Sequence, residues 1–214
     1  MTDIIQNFAK VSQELQFIKT KPSIIAVSKT FSLDHIRPLV DYGHRIFGEN
    51  KVQEAKNKWG ELKSKITNLE LHLIGSLQSN KAKEAVSLFD FIHSVSSEKL
   101  AHELSKSELK LNLKRKYFIQ VNIGNEIQKS GIPVNELDSF YNYCINEINL
   151  KIIGLMLIPP IDQNTDKYFK SLDELNKSLG LENMSMGMSA DYVEAIQHGS
   201  TFVRLGSSIF GSRS

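Results

Sequence analysis

One cysteine, Cys144, stands among the 214 residues. A lone thiol excludes an intramolecular disulfide framework, and without a Cys cluster there is no thiolate zinc site. A reducing compartment is the natural setting. Neither sign of charge dominates: 26 Lys and Arg face 24 Asp and Glu, for a net charge of +2. That balance excludes the strongly basic surface expected of a nucleic-acid or bilayer binder. Long apolar runs are also missing. The strongest, residues 152–160, is too short to span a membrane as a helix. The opening Met1-Thr-Asp-Ile-Ile-Gln has no basic stretch followed by an apolar core, so it is not a signal peptide. There is no low-complexity tract and no Pro/Gly/Ser-rich linker. These absences predict a single domain over residues 1–214, cytoplasmic, large enough to bury a full core without metal or disulfide.

What is present is alternation. Residues 3–17 read as a helix, with Ile4, Ile5, Phe8, Val11 and Leu15 on one stripe. Eight short runs rich in β-branched residues follow, at 23–29, 45–50, 69–77, 91–95, 116–124, 150–158, 182–189 and 201–210. Amphipathic segments separate them, at 33–42, 52–63, 81–89, 98–111, 136–148, 165–179 and 191–197. Strand followed by helix, repeated with short joints, predicts a parallel sheet. The length suits a compact (β/α)8 TIM-type barrel with an extra N-terminal helix. An open doubly wound sheet is the alternative. No Gly-x-Gly-x-x-Gly follows the first strand, and polar chemistry gathers at the first and last strands, which only closure brings together.

The first strand ends in Ala26-Val27-Ser28-Lys29-Thr30. Period two puts Ile25, Val27 and Lys29 on one face, taken as the inner one, with Lys29 at the end where barrels place their sites. Lys29 either leaves the strand for solvent or serves as a nucleophile. A free lysine has a pKa of about 10.4, so roughly one in a thousand is neutral at pH 7; an apolar barrel mouth raises that fraction, and the neutral amine attacks aldehydes. Gly48 and Asn50 share a face of the second strand. Asn50 can line a site beside Lys29, or cap the next helix with Gln53 as its capping-box partner. Glu49 and Glu54 read as solvated or structural. His72 lies early in its strand and reads as a packed structural histidine. Phe118, Gln120 and Asn122 share a face, which implies polar lining or an internal network. Lys129 sits on a loop and, from its residues alone, is simply solvated.

The C-terminal fifth is the most informative. Ser185-Met186-Gly187-Met188-Ser189 closes the seventh strand, and Val203-Arg204-Leu205-Gly206-Ser207 the eighth. Barrels commonly bind phosphate at these two loops. Glycine N–H groups and serine hydroxyls suit an anion, and Ser185, Gly206 and Ser207 fit that chemistry. Ser189 is expected to cap the helix that follows. Phe202, Arg204 and Gly206 share a face, so Arg204 points into the barrel. A buried guanidinium needs acceptors, either a heteroaromatic ring nitrogen or an internal carboxylate such as Glu49.

Taken with Phe47-Gly48-Glu49-Asn50-Lys51-Val52-Gln53-Glu54 and His72-Leu73-Ile74-Gly75-Ser76-Leu77-Gln78-Ser79-Asn80-Lys81, these motifs resemble the pyridoxal phosphate homeostasis protein family. That family is similar to the barrel domain of alanine racemase standing alone, a fold type III pyridoxal phosphate architecture. The motifs run in order from residue 26 to residue 211. The resemblance implies pyridoxal 5′-phosphate held as a Schiff base on Lys29. It implies that Arg204 faces the pyridine nitrogen, that Ser185, Gly206 and Ser207 bind the phosphate, and that Asn50 lines the cofactor. Lys129 matches a family lysine proposed to act in cofactor handling.

Racemisation on pyridoxal phosphate needs a base on each face of the cofactor. In the racemases resembled, a second domain of the partner subunit supplies one of them, and the chain ends soon after its last strand. An arginine at the ring nitrogen also weakens the electron sink. The expectation is a monomeric carrier or reservoir of vitamin B6, with apo pyridoxal phosphate enzymes as possible recipients. A pyridoxal-phosphate-dependent racemase and a Schiff-base aldolase without pyridoxal are the alternatives.

Overall fold

The structure, a computed structural model, describes residues 3–18, 21–124, 126, 130–160 and 164–211. Helix α1 (Ile4–Gln16) opens on Asp3, whose carboxylate accepts from the N–H groups of Ile5 and Gln6, two donors that have no partner inside the helix. Strands and helices then alternate: β1 (Ser23–Val27), α2 (Leu33–Asp41), β2 (Ile46–Glu49), α3 (Val52–Trp59), β3 (Glu70–Leu73), α4 (Ala82–Leu88), β4 (Phe91–Val95), α5 (Glu98–Leu111) and β5 (Lys116–Asn122). The second half holds β6 (Ile132–Pro133), α6 (Leu137–Asn142), β7 (Ile152–Met156), α7 (Asp166–Ser178), β8 (Asn183–Met188), α8 (Tyr192–Gln197), β9 (Phe202–Leu205) and α9 (Ser207–Phe210).

Pairing runs β4-β3-β2-β1-β9-β8-β7-β5, and β4 also pairs with β5, so eight strands close into a ring. Every pairing in it is parallel. The fold is a TIM barrel with an added N-terminal helix. The two-residue β6 lies parallel to the end of β5 and has no counterpart among the expected strands. Two apolar layers hold the fold. Between ring and helices lie Ile36, Leu39, Phe47, Trp59, Tyr117 and Phe169, all fully buried. A separate cluster of Phe91, Phe118 and Met156, with Ile153, Ile158 and Phe202 against it, fills the barrel interior. Each buried large side chain contributes about 1.5–3 kcal/mol relative to exposure.

The strands are shorter than expected at their C-terminal ends. β1 stops at Val27 rather than 29, and β3 at Leu73 rather than 77. Apolar residues beyond those ends are still buried: Ile74 lines the barrel mouth and Leu77 packs in the layer between ring and helices. The last expected strand, 201–210, is two elements. Gly206 takes φ −111° and ψ −78°, which leaves the extended region, and Ile209 and Phe210 bury themselves on the turn of α9. The carbonyl of Ile209 accepts from the Asn7 side chain of α1 at 3.0 Å, so the two ends of the described chain meet. Among the described residues no helix is long and apolar enough to cross a membrane.

Candidate functional site

At the C-terminal ends of the strands opens a cavity of about 510 Å3 lined by Val27, Lys29, Phe31, Asn50, Ile74, Ile158, Met188, Ser189, Ala190, Arg204, Gly206, Ser207 and Gly211. Closure of β1 on β9 sets Ile25 beside Arg204 in register. The first and last strands therefore deliver a lysine and an arginine to one space. Five of the six residues expected to hold a cofactor, Lys29, Asn50, Arg204, Gly206 and Ser207, line it.

Lys29 lies in the turn after β1, half-buried. The turn is tight enough to place Thr30 at φ +70°, a left-handed conformation that costs a β-branched residue energy unless its surroundings fix it. They do. Glu49, fully buried at the end of β2, accepts from Ser28 Oγ at 2.8 Å, Lys58 Nζ at 2.9 Å and Trp59 Nε1 at 2.9 Å. Lys58 Nζ also donates to the Ser28 carbonyl at 2.7 Å, and the Thr30 N–H donates to Glu54. Glu49 is thus structural and not solvated. A buried carboxylate with three donors clamps the turn that carries Lys29.

Asn50 does not cap α3. That helix starts from Lys51 without a side-chain cap, and Gln53 bonds Asn57 at 3.1 Å instead of closing a capping box. Asn50 Oδ1 is buried with no hydrogen-bond partner among the described residues, which costs about 1–3 kcal/mol unless something else meets it. Ser189 is not a cap either. The helix α8 is preceded by Asp191, which makes no side-chain cap. Ser189 Oγ instead accepts from the N–H groups of Gly206 and Ser208, each at 3.2 Å. Those donors converge on one oxygen at the mouth.

Ser185 lies elsewhere. It is fully buried in the middle of β8, below the cavity and not among its lining residues. Its hydroxyl bonds Arg204 at 2.8 Å and His93 Nδ1 at 2.8 Å. Arg204 is buried and turned inward as its register predicts. Its terminal nitrogens donate to the Ser185 carbonyl at 2.7 Å, to Ser185 Oγ, and to the Leu157 carbonyl at 2.8 Å. A guanidinium has five N–H donors, so donors remain for the cavity that Arg204 lines. Among the described residues no carboxylate is within salt-bridge distance of it, and Glu49 is committed to Ser28, Lys58 and Trp59. Burial lowers the Arg204 pKa to about 10, so the group stays charged at neutral pH.

His72 is packed, stacked on Phe91 with centroids 4.3 Å apart. It also bonds Glu70 and His93. Sequence reasoning missed His93 and Glu70. The signal was there: period two sets Glu70 and His72 on one face of β3, and the register of His72 against Phe91 brings His93 one pleat higher on the same side. Gln120 and Asn122 form the expected polar network, donating to the carbonyls of Ser130 and Glu126. Lys129 lies outside the described residues.

The profile of the alanine racemase N-terminal domain matches residues 2–214 of this closed parallel barrel. The pyridoxal phosphate homeostasis protein of Aquifex aeolicus is 38% identical over 199 residues, covering 89% of this chain and 86% of that protein. The chain belongs to the pyridoxal phosphate homeostasis protein family. Among solved structures, PipY of Synechococcus elongatus PCC7942 with PLP bound superposes with a TM-score of 0.89 at 34% identity, covering 98% of this chain and all of PipY. Alanine racemase of Clostridium difficile shares the fold at a TM-score of 0.75 and 13% identity, and this chain spans 57% of its length.

Proposed function

We propose that the chain is a single barrel domain that binds pyridoxal 5′-phosphate as a Schiff base on Lys29 and acts in the cytoplasm as a carrier or reservoir of that cofactor. One observation carries the proposal: Lys29, Arg204, Gly206 and Ser207, from the first and last strands and their loops, line one cavity. PipY, similar over nearly all of this chain, was solved with PLP bound.

The residues fit the group. Bound pyridoxal phosphate brings an aldehyde, a pyridine nitrogen and a phosphate. Lys29 Nζ is the amine that would hold the aldehyde as a Schiff base, with the carbonyl oxygen lost as water, and an apolar mouth favours its neutral, nucleophilic form. Arg204 remains protonated and donates to the ring nitrogen, which disfavours proton uptake there. Gly206 and Ser208 supply N–H groups, and Ser189 Oγ marks where an acceptor sits between them. Ser189 takes the place first given to Ser185 in this cradle, because Ser185 is spent on Arg204 below it. Asn50 gives its buried Oδ1 a partner only if a donor enters the cavity.

The carrier assignment rests on what lines the site. Among the described lining residues Lys29 and Arg204 are the ionisable ones, and an arginine is a poor base. Among the described residues the lining then offers one proton acceptor, Lys29, whereas racemisation uses two. Apo enzymes that use pyridoxal phosphate are the recipients we propose, and the working form is the monomer.

The purified protein is expected to be yellow and to bleach with hydroxylamine. Borohydride reduction followed by peptide mass mapping should leave a pyridoxyl group on Lys29, and Lys29→Ala should be folded and colourless. A reduced adduct on another lysine rejects the site. Rapid α-proton exchange in D2O with turnover of single-enantiomer amino acids rejects the carrier role.

A further inference from the structure

Below the cavity, an unbroken file of polar groups crosses the apolar barrel interior. Glu70 Oε1 is 2.8 Å from His72 Nε2, His72 Nδ1 is 2.8 Å from His93 Nε2, and His93 Nδ1 is 2.8 Å from Ser185 Oγ. Ser185 Oγ then accepts from Arg204 at 2.8 Å. His72, His93 and Ser185 are fully buried, and phenylalanines pack against both rings: His72 on Phe91 and His93 on Phe118, each with centroids at 4.3 Å. Burying so many polar groups in an otherwise aromatic interior is expensive unless each is satisfied and the set serves something.

The donors and acceptors allow one direction only. Arg204 can only donate, and the ionised Glu70 carboxylate can only accept. With Ser185 Oγ accepting from Arg204, its own hydrogen goes to His93 Nδ1. His93 must then carry its proton on Nε2 and donate to His72 Nδ1, and His72 donates from Nε2 to Glu70. The reverse order would point a lone pair of His72 at a carboxylate and strand the Ser185 hydrogen. Both rings are neutral in this order. Burial holds His93 well below the usual histidine range, with the nearby His72 and Arg204 adding to the effect. Burial also lowers His72, against an opposing pull from Glu70.

We infer that Glu70, His72, His93 and Ser185 are positioning residues for Arg204: a one-way hydrogen-bond relay that fixes the guanidinium in the plane it presents to the cavity. The relay couples Arg204, which no carboxylate among the described residues approaches within salt-bridge distance, to the Glu70 carboxylate at the opposite end of the barrel, and each polarised bond strengthens the next. It contacts no ligand itself. Its effect on pyridoxal phosphate rests on the function proposed above, because it acts through the Arg204 contact to the ring nitrogen.

Two measurements test this independently. In the ligand-free protein, 15N spectra of the histidine side chains, assigned with His72→Gln and His93→Gln, should show His72 and His93 neutral with the proton on Nε2 at neutral pH. A proton on Nδ1 of His93, or a cationic ring, overturns the relay whether or not the protein binds the cofactor. With pyridoxal phosphate added to the full chain, Ser185→Ala and His93→Leu should weaken retention about tenfold. They should also move the cofactor's absorption band in the same direction as Arg204→Gln. His93→Gln, which can accept from Ser185 and donate to His72, should restore much of both. Band and retention unchanged in Ser185→Ala and His93→Leu overturn the proposal. Should His93→Leu fail to fold, Ser185→Ala and the 15N spectra decide. A wild-type protein that takes up no pyridoxal phosphate defeats the proposed function alone and leaves the 15N result standing.

Discussion

Glu49 shows how much of a site can be built from a residue that never touches a ligand. Three donors share one of its oxygens, Oε1, while Oε2 has no partner among the described residues. Removing the charge while keeping the shape, as in Glu49→Gln, leaves Lys58 with only its longer ion pair, to Glu54 at 3.4 Å, at a cost below the ~3–5 kcal/mol of a buried charge left with no partner. The variant should lose that stability in urea unfolding, and any surviving folded protein should give less borohydride-trapped product at Lys29, because the turn after β1 loses its clamp. Trapping equal to wild type would mean that Lys29 is positioned without Glu49. At this scale the sequence was partly legible. A lysine closing an apolar strand, and an arginine in phase with Phe202 and Gly206, are placed by period two alone. Ser185 and Ser189 were not separable that way. They sit four residues apart, on the same side of an ideal strand, and only a register shift between β8 and β9 divides them. One becomes a support for Arg204 and the other an acceptor at the mouth.

Among the elements, helix α5 (Glu98–Leu111) coincides with its expected span, since its boundaries carry their own chemistry. Ser97 Oγ accepts from the Leu100 N–H, and Asn112 turns left-handed at φ 51° to end the helix. Boundaries set by tertiary packing were illegible. Nothing local tells an apolar residue in a strand from one buried just beyond it, as with Ile74 and Leu77. The two-residue β6 carries no periodicity to detect. Close approach between strands was equally hidden. Gly154 on β7 faces β8, where an added Cβ would lie 1.9 Å from the Asn183 carbonyl oxygen. Backbone must move to admit it, so Gly154→Ala should destabilise by about 2–4 kcal/mol and lower the thermal midpoint. The matched control is Gly180→Ala: its position is open but at φ +66°, so it should show only the smaller cost of a left-handed alanine, about 1 kcal/mol. Equal losses would mean that β7 and β8 do not approach so closely.

Burial holds three histidines, His44, His72 and His93, neutral, and this shapes the stability of the whole molecule against pH. Burial depresses His44 from 6.5 to about 4, and lowers His72 and His93 as well. For a group whose folded pKa lies below its unfolded one, the unfolded chain binds more protons in between. The stability these histidines contribute is therefore complete above pH 6.5 and drains away as pH falls below it, toward 4 in the case of His44, by at most about 1.4 kcal/mol per pH unit for each ring. The opposite sign holds on the alkaline side. Burial raises the Cys144 thiol from 9.0 to about 12, so the folded chain keeps its proton while the unfolded chain loses it, and stability falls as pH climbs above 9. Urea midpoints measured across pH should thus form a plateau between 6.5 and 9 with a shoulder on each side. His44→Phe should flatten the acid shoulder by one ring's share, even though it also removes the 2.8 Å bond from His44 Nε2 to the Ile46 carbonyl. Cys144→Ala should flatten only the alkaline one. An acid shoulder as steep in His44→Phe as in wild type would show that His44 carries no share of the acid unfolding of this barrel.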